Sequence, residues 1–253
     1  MRVKALALAL LAVIVLSSNG LAPPCAAQVS ATWIVAHRGG AGDYSENTLE
    51  AFGYAAASGA TAIETDVRST KDGIQVMSHD EALTVDGVEY PLKSWDYADL
   101  KKLKGDLCTL DEALSFIAAT NLSLLLELKS GSNVPLCIDA VRAYGMQDRT
   151  TIISFRQTKL RKAREYDPDI ALGLIVGEVP SEIGDTVADL KLSMVCQECH
   201  HLTKDMLAAW HDMGLHVNIW TVDGEAQLAR YMRWGVDSIT TNYPRLALSV
   251  MEQ

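Results

Sequence analysis

Eight short β-branched or apolar runs, spaced along one chain and alternating with helical stretches, constrain this sequence more than any other feature. The runs span 33–37, 61–67, 123–128, 150–155, 170–176, 193–196, 216–222 and 237–241. Helical patterns lie between them near 46–58, 109–119, 134–144, 156–166, 184–191, 203–213 and 224–234, and a last one starts at 245. Strands that alternate with helices pair in parallel, because each helix carries the chain back to the same end of the sheet. Eight such units close on themselves better than they form an open sheet, which predicts a single-domain α/β fold, a TIM (β/α)8 barrel. Residues 74–79 form an extra extended piece after the turn Thr70-Lys71-Asp72-Gly73, read as a hairpin excursion at the barrel mouth. No linker, low-complexity segment or repeat divides the chain.

A barrel places its functional groups at the carboxyl ends of its strands. His37 ends the first run, Glu64 and Asp66 lie at the end of the second, and Glu127 with Lys129 closes the third. Trp220 lies near the end of the seventh. Successive strand side chains alternate faces, so Glu64 and Asp66 share one face and Ile63, Thr65 and Val67 take the other. Two carboxylates that close repel each other unless a cation or a base joins them. With Glu127 they form three oxygen ligands of the hard type that suits Mg²⁺ or Ca²⁺. The plain alternative is a rim ion-pair network with Arg38, Arg68 and Lys129.

The stretch from His37 to Asp80 carries a resemblance. His37-Arg38-Gly39, Glu46-Asn47, Gly59-Ala60, Glu64-x-Asp66-Val67, Thr70-Lys71-Asp72-Gly73 and His79-Asp80 follow one another there. Glu127-Leu128-Lys129, Trp220-Thr221-Val222 and Gly235-Val236-Asp237 continue the series. In order and spacing this resembles the glycerophosphodiester phosphodiesterase family, over roughly residues 33 to 244. The resemblance implies metal-dependent hydrolysis of a small-molecule glycerophosphodiester to sn-glycerol 3-phosphate and an alcohol. It implies His37 and His79 as the acid/base pair and Glu64, Asp66 and Glu127 as ligands of Ca²⁺ or Mg²⁺. Imidazole suits the first role because it titrates near neutrality. Arg38, Lys129 and Trp220 are expected to bind substrate, the first two at phosphate oxygens. Trp220 walls the pocket, with a core tryptophan as the alternative.

Two departures from the family stand out. Serine occupies position 45, where the family often has proline, and Ser45 is read as the cap of a first helix that includes Glu46 and Asn47. Between His79 and the helix at Thr109 the family commonly inserts a substantial segment, whereas here only residues 80–108 fill the space. That leaves room for lysophospholipase D-like or cyclic-phosphate-forming chemistry on lipids. An exported phosphodiester-binding protein without turnover is the non-enzyme alternative.

Residues 1–27 read as a signal peptide: Arg2 and Lys4, an apolar run over 5–16, then Cys25-Ala26-Ala27 before Gln28. The run is shorter than the about 18 residues of a spanning helix, so no stable membrane span is expected after cleavage. The mature domain, 28–253, is expected to be exported, periplasmic or secreted. Loss of the two positive charges takes the net charge from −10 to −12. So acidic a chain disfavours nucleic acid as a partner and requires a locally positive site for an anionic substrate. Cys108, Cys137, Cys196 and Cys199 remain, with Cys196 and Cys199 expected to form a local bridge. Cys196-Gln197-Glu198-Cys199-His200 also matches a haem-attachment pattern, and a zinc site with His200 or His201 is a further alternative.

Overall fold

The computed structural model describes residues 32–178 and 183–253; the signal segment falls outside them. The chain begins β1 (Trp33–His37), α1 (Leu49–Ser58), β2 (Ala62–Ser69), β3 (Gln75–Met77), β4 (Ala82–Val85), β5 (Val88–Pro91), α2 (Tyr97–Leu103) and α3 (Leu110–Ala118). It continues β6 (Ser123–Leu128), α4 (Val134–Ala143), β7 (Thr150–Ser154), α5 (Gln157–Tyr166), β8 (Ala171–Val176) and α6 (Gly184–Leu190). The last elements are β9 (Met194–Glu198), α7 (Lys204–Asp212), β10 (His216–Trp220), α8 (Glu225–Trp234), β11 (Ser238–Thr241) and α9 (Pro244–Met251). The strands pair in the order β1-β11-β10-β9-β8-β7-β6-β2, all in parallel, and β1 pairs with β2 to close the barrel. Each strand is therefore buried on both faces, which is why runs such as Leu124-Leu125-Leu126 are continuous rather than alternating.

The two faces divide the apolar residues into two sets. Val35, Ala62, Leu125, Ile153, Ile175, Met194 and Cys196 form one cluster inside the barrel, with Trp220 packed against it. The larger cluster lies between strands and helices, where Ile34, Ile63, Val67, Leu124 and Leu126 meet Phe52, Leu114, Ile138 and Leu228. Full burial of each large side chain contributes about 1.5–3 kcal/mol, so this outer layer dominates stability.

The helix starts follow local chemistry. Thr109 and Glu112 form a reciprocal capping box at α3, and Thr203 accepts from the Met206 N–H at α7. The first helix corrects the sequence reading. Its cap is Thr48, whose hydroxyl accepts from Ala51 N–H and donates to the Ser45 carbonyl. Ser45, Glu46 and Asn47 therefore precede the helix, and Asn47 takes a left-handed φ of 59° that a helix interior excludes.

The excursion after β2 is larger than the expected hairpin. β3 runs antiparallel to β2, with Val67 opposite Met77. A second hairpin, β4–β5, then turns at Asp86-Gly87 with positive φ at both residues, followed by a 3-10 turn at Leu92–Ser94 and α2. Val76, Leu83, Leu92, Leu100 and Leu107 give this lobe a small core of its own. An Asp-Gly pair between apolar positions is a hairpin signal, so this turn was legible. No helix among the described residues is long and apolar enough to cross a membrane.

Candidate active site

One pocket opens at the carboxyl end of the barrel, and all eight residues singled out in the sequence line it. The ladder explains the convergence: His37 is in register with Glu64 across β1–β2, and Asp66 with Glu127 across β2–β6. Glu64, Asp66 and Glu127 bring carboxylate oxygens within 4.8 Å of one another. Leu125, Ile153, Ile175 and Cys196 form the apolar floor beneath them.

The charges around these acids are unequally shared. Lys129 Nζ lies 3.2 Å from Asp66 Oδ1 and 3.0 Å from Glu127 Oε1. Arg38 Nε is 3.5 Å from Asp66 Oδ2, and its guanidinium also meets Glu46 Oε2 at 2.6 Å. Asn47 Nδ2 donates to Asp66 Oδ2 at 3.1 Å. Burial works against charge on Asp66, yet Lys129, Arg38 and the Asn47 bond outweigh it and hold its carboxyl below the ordinary range. Glu64 goes the other way: burial first, then Asp66 and Glu127, raise it well above the usual value. Burial and Asp66 likewise push Glu127 up to about 7, against the pull of Lys129. Three crowded acids, two of them held above the ordinary carboxyl range by burial and by one another, form a donor set that fits a hard divalent cation.

The rim ion-pair alternative holds for Arg38 and Lys129, which pair with these acids, but not for Arg68. Its Nε donates to the His79 carbonyl and its Nη1 to the Ser130 carbonyl, so it ties β2 to the two segments that carry His79 and Lys129.

The histidines are held from behind. His37 Nδ1 lies 2.6 Å from Asn242 Oδ1. Asn242 Nδ2 in turn donates to Asp223 Oδ2 at 2.7 Å, and Asp223 Oδ1 also accepts from the Asn242 backbone N–H. A carboxylate only accepts, so Asp223 orients the amide and leaves Oδ1 to face His37. Nδ1 then carries the proton, and the Nε2 lone pair faces the pocket 3.8 Å from Glu64 Oε2. Burial and the Arg38 charge lower the His37 pKa, which keeps the ring neutral at pH 7. His79 follows β3 at the more open side, with Nδ1 2.8 Å from Asp80 Oδ1.

Trp220 stands on the opposite wall, its Nε1 donating to the Cys196 carbonyl at 2.9 Å and its ring edge-on to Phe155 at 5.5 Å. It is both wall and packing element. Sequence reasoning missed Asn242, Asp223 and Phe155, and gave Asn47 of the Glu46-Asn47 motif only a helix-start role. Asn242 had a signal, as the polar residue directly after the last barrel strand; Asp223 and Phe155 had none.

Gly39 shapes the approach. It sits at φ 89°, and a Cβ there would lie 2.7 Å from Ala51 Cβ and 2.9 Å from the Ala51 carbonyl carbon. The glycine is required by packing against α1, which places Arg38 at the rim. Gly39→Ala is expected to destabilise the fold by on the order of 1–3 kcal/mol, read as a lowered urea midpoint. An unchanged midpoint would show that α1 moves aside freely.

The four cysteines correct the expected bridge. Cys108, Cys137, Cys196 and Cys199 are all buried free thiols. Cys196 points into the barrel, whereas Cys199, past the strand end, packs with the outer layer. Thiols on opposite sides of the barrel wall form neither a local disulfide nor the paired attachment that covalent haem needs.

The sequence model of the glycerophosphoryl diester phosphodiesterase family matches residues 37–246. A glycerophosphodiester phosphodiesterase of Caldanaerobacter subterraneus subsp. tengcongensis is 27% identical over 240 residues, covering 88% of this chain and 98% of that protein. One from Bacillus altitudinis is 28% identical over 249 residues, covering 88% and 99%. Among solved structures, an Oleispira antarctica phosphodiesterase in complex with its product sn-glycerol-3-phosphate superposes with a TM-score of 0.82. It is 25% identical, over 87% of this chain and 97% of that one.

Proposed function

Since this chain belongs to the glycerophosphoryl diester phosphodiesterase family and hydrolyses glycerophosphodiesters, we propose that His37 and His79 move the protons of that reaction. In the same proposal Glu64, Asp66 and Glu127 hold a divalent cation, Ca²⁺ or Mg²⁺, and the products are sn-glycerol 3-phosphate and an alcohol. The observation that carries the reading is His37, held through Nδ1 by Asn242, turning Nε2 towards three crowded carboxylates in one pocket.

A cation held by Glu64, Asp66 and Glu127 would supply charge stabilisation on the phosphate oxygens. Lys129 adds a point charge beside it, and Arg38 lies within reach of the same anion, fixed in direction by Glu46. His37, neutral and with Nε2 free, accepts a proton from the attacking oxygen. His79, across the cluster, carries a proton to the leaving alkoxide, with its ring direction set by Asp80. The apolar floor and Trp220 give the pocket a non-polar lining beside the charged groups. The Oleispira antarctica relative holds sn-glycerol-3-phosphate, which supports the assignment of that product here.

A lipid substrate is the second reading. Phe155, exposed and edge-on to Trp220, extends the apolar wall outward, where an acyl chain would lie. Both readings are tested by product analysis. Glycerophosphocholine is expected to release sn-glycerol 3-phosphate, with activity lost in EDTA and restored by Ca²⁺ or Mg²⁺. Full activity in EDTA would sink the metal reading, while a cyclic phosphate, or turnover of lysolipid alone, would move the assignment to the second. Export of the mature domain is likewise proposed, on the charge and apolar pattern of residues 1–27.

A further inference from the structure

A second group of metal-binding side chains lies outside the pocket. β9 ends at Glu198 and passes into the 3-10 turn Cys199–His201. Glu198 Oε2 accepts the His200 backbone N–H at 2.9 Å, which folds the carboxylate back over the turn. Both imidazoles then face it: His200 Nδ1 is 2.5 Å from Oε1 and His201 Nδ1 is 2.9 Å from Oε2. Cys199 Sγ completes the group, 3.7 Å from Glu198 Oε1 and 3.6 Å from His200 Nδ1.

These separations have a chemical meaning. A tetrahedral zinc ion with bonds of about 2.3 Å to sulfur and about 2.0 Å to nitrogen or oxygen sets its ligands roughly 3.5 Å apart along the edges that include sulfur. The two sulfur edges of the Glu198–Cys199–His200 triangle are already at that spacing. The third edge is a hydrogen bond, and it opens when a cation replaces the shared proton. Thiol, imidazole and carboxylate together select a borderline ion of the zinc class, whereas Ca²⁺ and Mg²⁺ take oxygen.

We propose that the Glu198–His201 turn binds a zinc-class divalent cation through Cys199 Sγ, His200 Nδ1 and a Glu198 carboxylate oxygen, with His201 or water as fourth ligand. All protein ligands come from four consecutive residues, and the backbone is already anchored, because the Tyr231 hydroxyl donates to the Cys199 carbonyl. His200 is mostly exposed, so the ion enters from solvent while the sulfur is buried behind it. Only the thiolate ligates, so binding displaces the Cys199 proton and strengthens as pH rises. Glu198 is paired in register with Trp220, so the ion would brace the pocket wall from outside. The site does not depend on the catalytic reading.

The test is Co²⁺ titration of the chelator-treated, reduced protein. A thiolate-to-cobalt charge-transfer band is expected, bleached by Zn²⁺ and weakened by acid. Cys199→Ser should abolish the band, and His200→Ala, at an exposed position that does not threaten folding, should weaken Zn²⁺ affinity by about tenfold or more. The band should survive in Cys108→Ser and in Glu64→Gln/Asp66→Asn, which dismantles the oxygen cluster in the pocket. No band in the wild type, a band that persists in Cys199→Ser, or unchanged Zn²⁺ affinity in His200→Ala would overturn the proposal.

Discussion

Replacing His37 by alanine is expected to lower kcat for release of sn-glycerol 3-phosphate by about 10²–10⁴-fold, the range contributed by a positioned general acid or base. The loss should appear in kcat more than in KM, because Nε2 acts on the proton in flight rather than on bound phosphate. Folding should survive, since His37 is half-buried at the strand end and the barrel closes through backbone pairing of β1 with β2 and β11. The wild-type pH profile adds a sign. Burial and Arg38 lower the His37 pKa from 6.5, so the base is lost only on the acid side of that value and the acid limb of kcat/KM lies below pH 6.5. A His37→Ala enzyme within a few-fold of wild type, or an acid limb above neutrality, would remove His37 from the base role.

The second large effect concerns the carboxylates. A cation must displace protons from Glu127, which is pushed up to about 7, and from Glu64, which is raised well above the ordinary carboxyl value. Affinity for Ca²⁺ or Mg²⁺ should therefore fall below neutrality, by about tenfold per pH unit for each proton displaced. Stability of the cation-free protein follows the same linkage. For Glu127 the folded-state value lies above the unfolded one, so its contribution is present below pH 4.5 and is lost as pH rises towards about 7. Asp66, held low by Lys129 and Arg38, acts in the opposite sense. Saturating Ca²⁺ should thus raise Tm more at alkaline pH than near pH 4.5. Calorimetric titration across pH, with thermal melts beside it, checks both. A cation response independent of pH, or one retained in Glu127→Gln, would place the ion elsewhere.

Much of this molecule was legible because a parallel barrel writes itself into sequence. Strands buried on both faces must be continuously apolar, so a polar residue such as Glu64 or Glu127 within one stands out. What escaped was chemistry between positions remote in sequence. Asn242 reaches His37, 205 positions away in sequence, only because β11 lies beside β1. Asn47, read as part of a helix start, instead lies under Asp66, since Thr48 supplies the cap. The lobe from β4 to α2 is short, yet its leucines form a core that no local pattern marks, although Asp86-Gly87 marks its turn.

The cysteines show the same boundary. Spacing put Cys196 beside Cys199, but a strand end separates them, sending one thiol into the barrel and the other to the outer layer. From sequence alone came the barrel, the family and the eight residues at its mouth, because hydrophobic periodicity and motif order are local and survive in one dimension. The tautomer of His37, the unequal sharing of charge among Glu64, Asp66 and Glu127, and the cluster at Glu198–His201 were decided by tertiary structure. Each depends on angstrom-scale distances and on burial, and both arise only when the barrel closes.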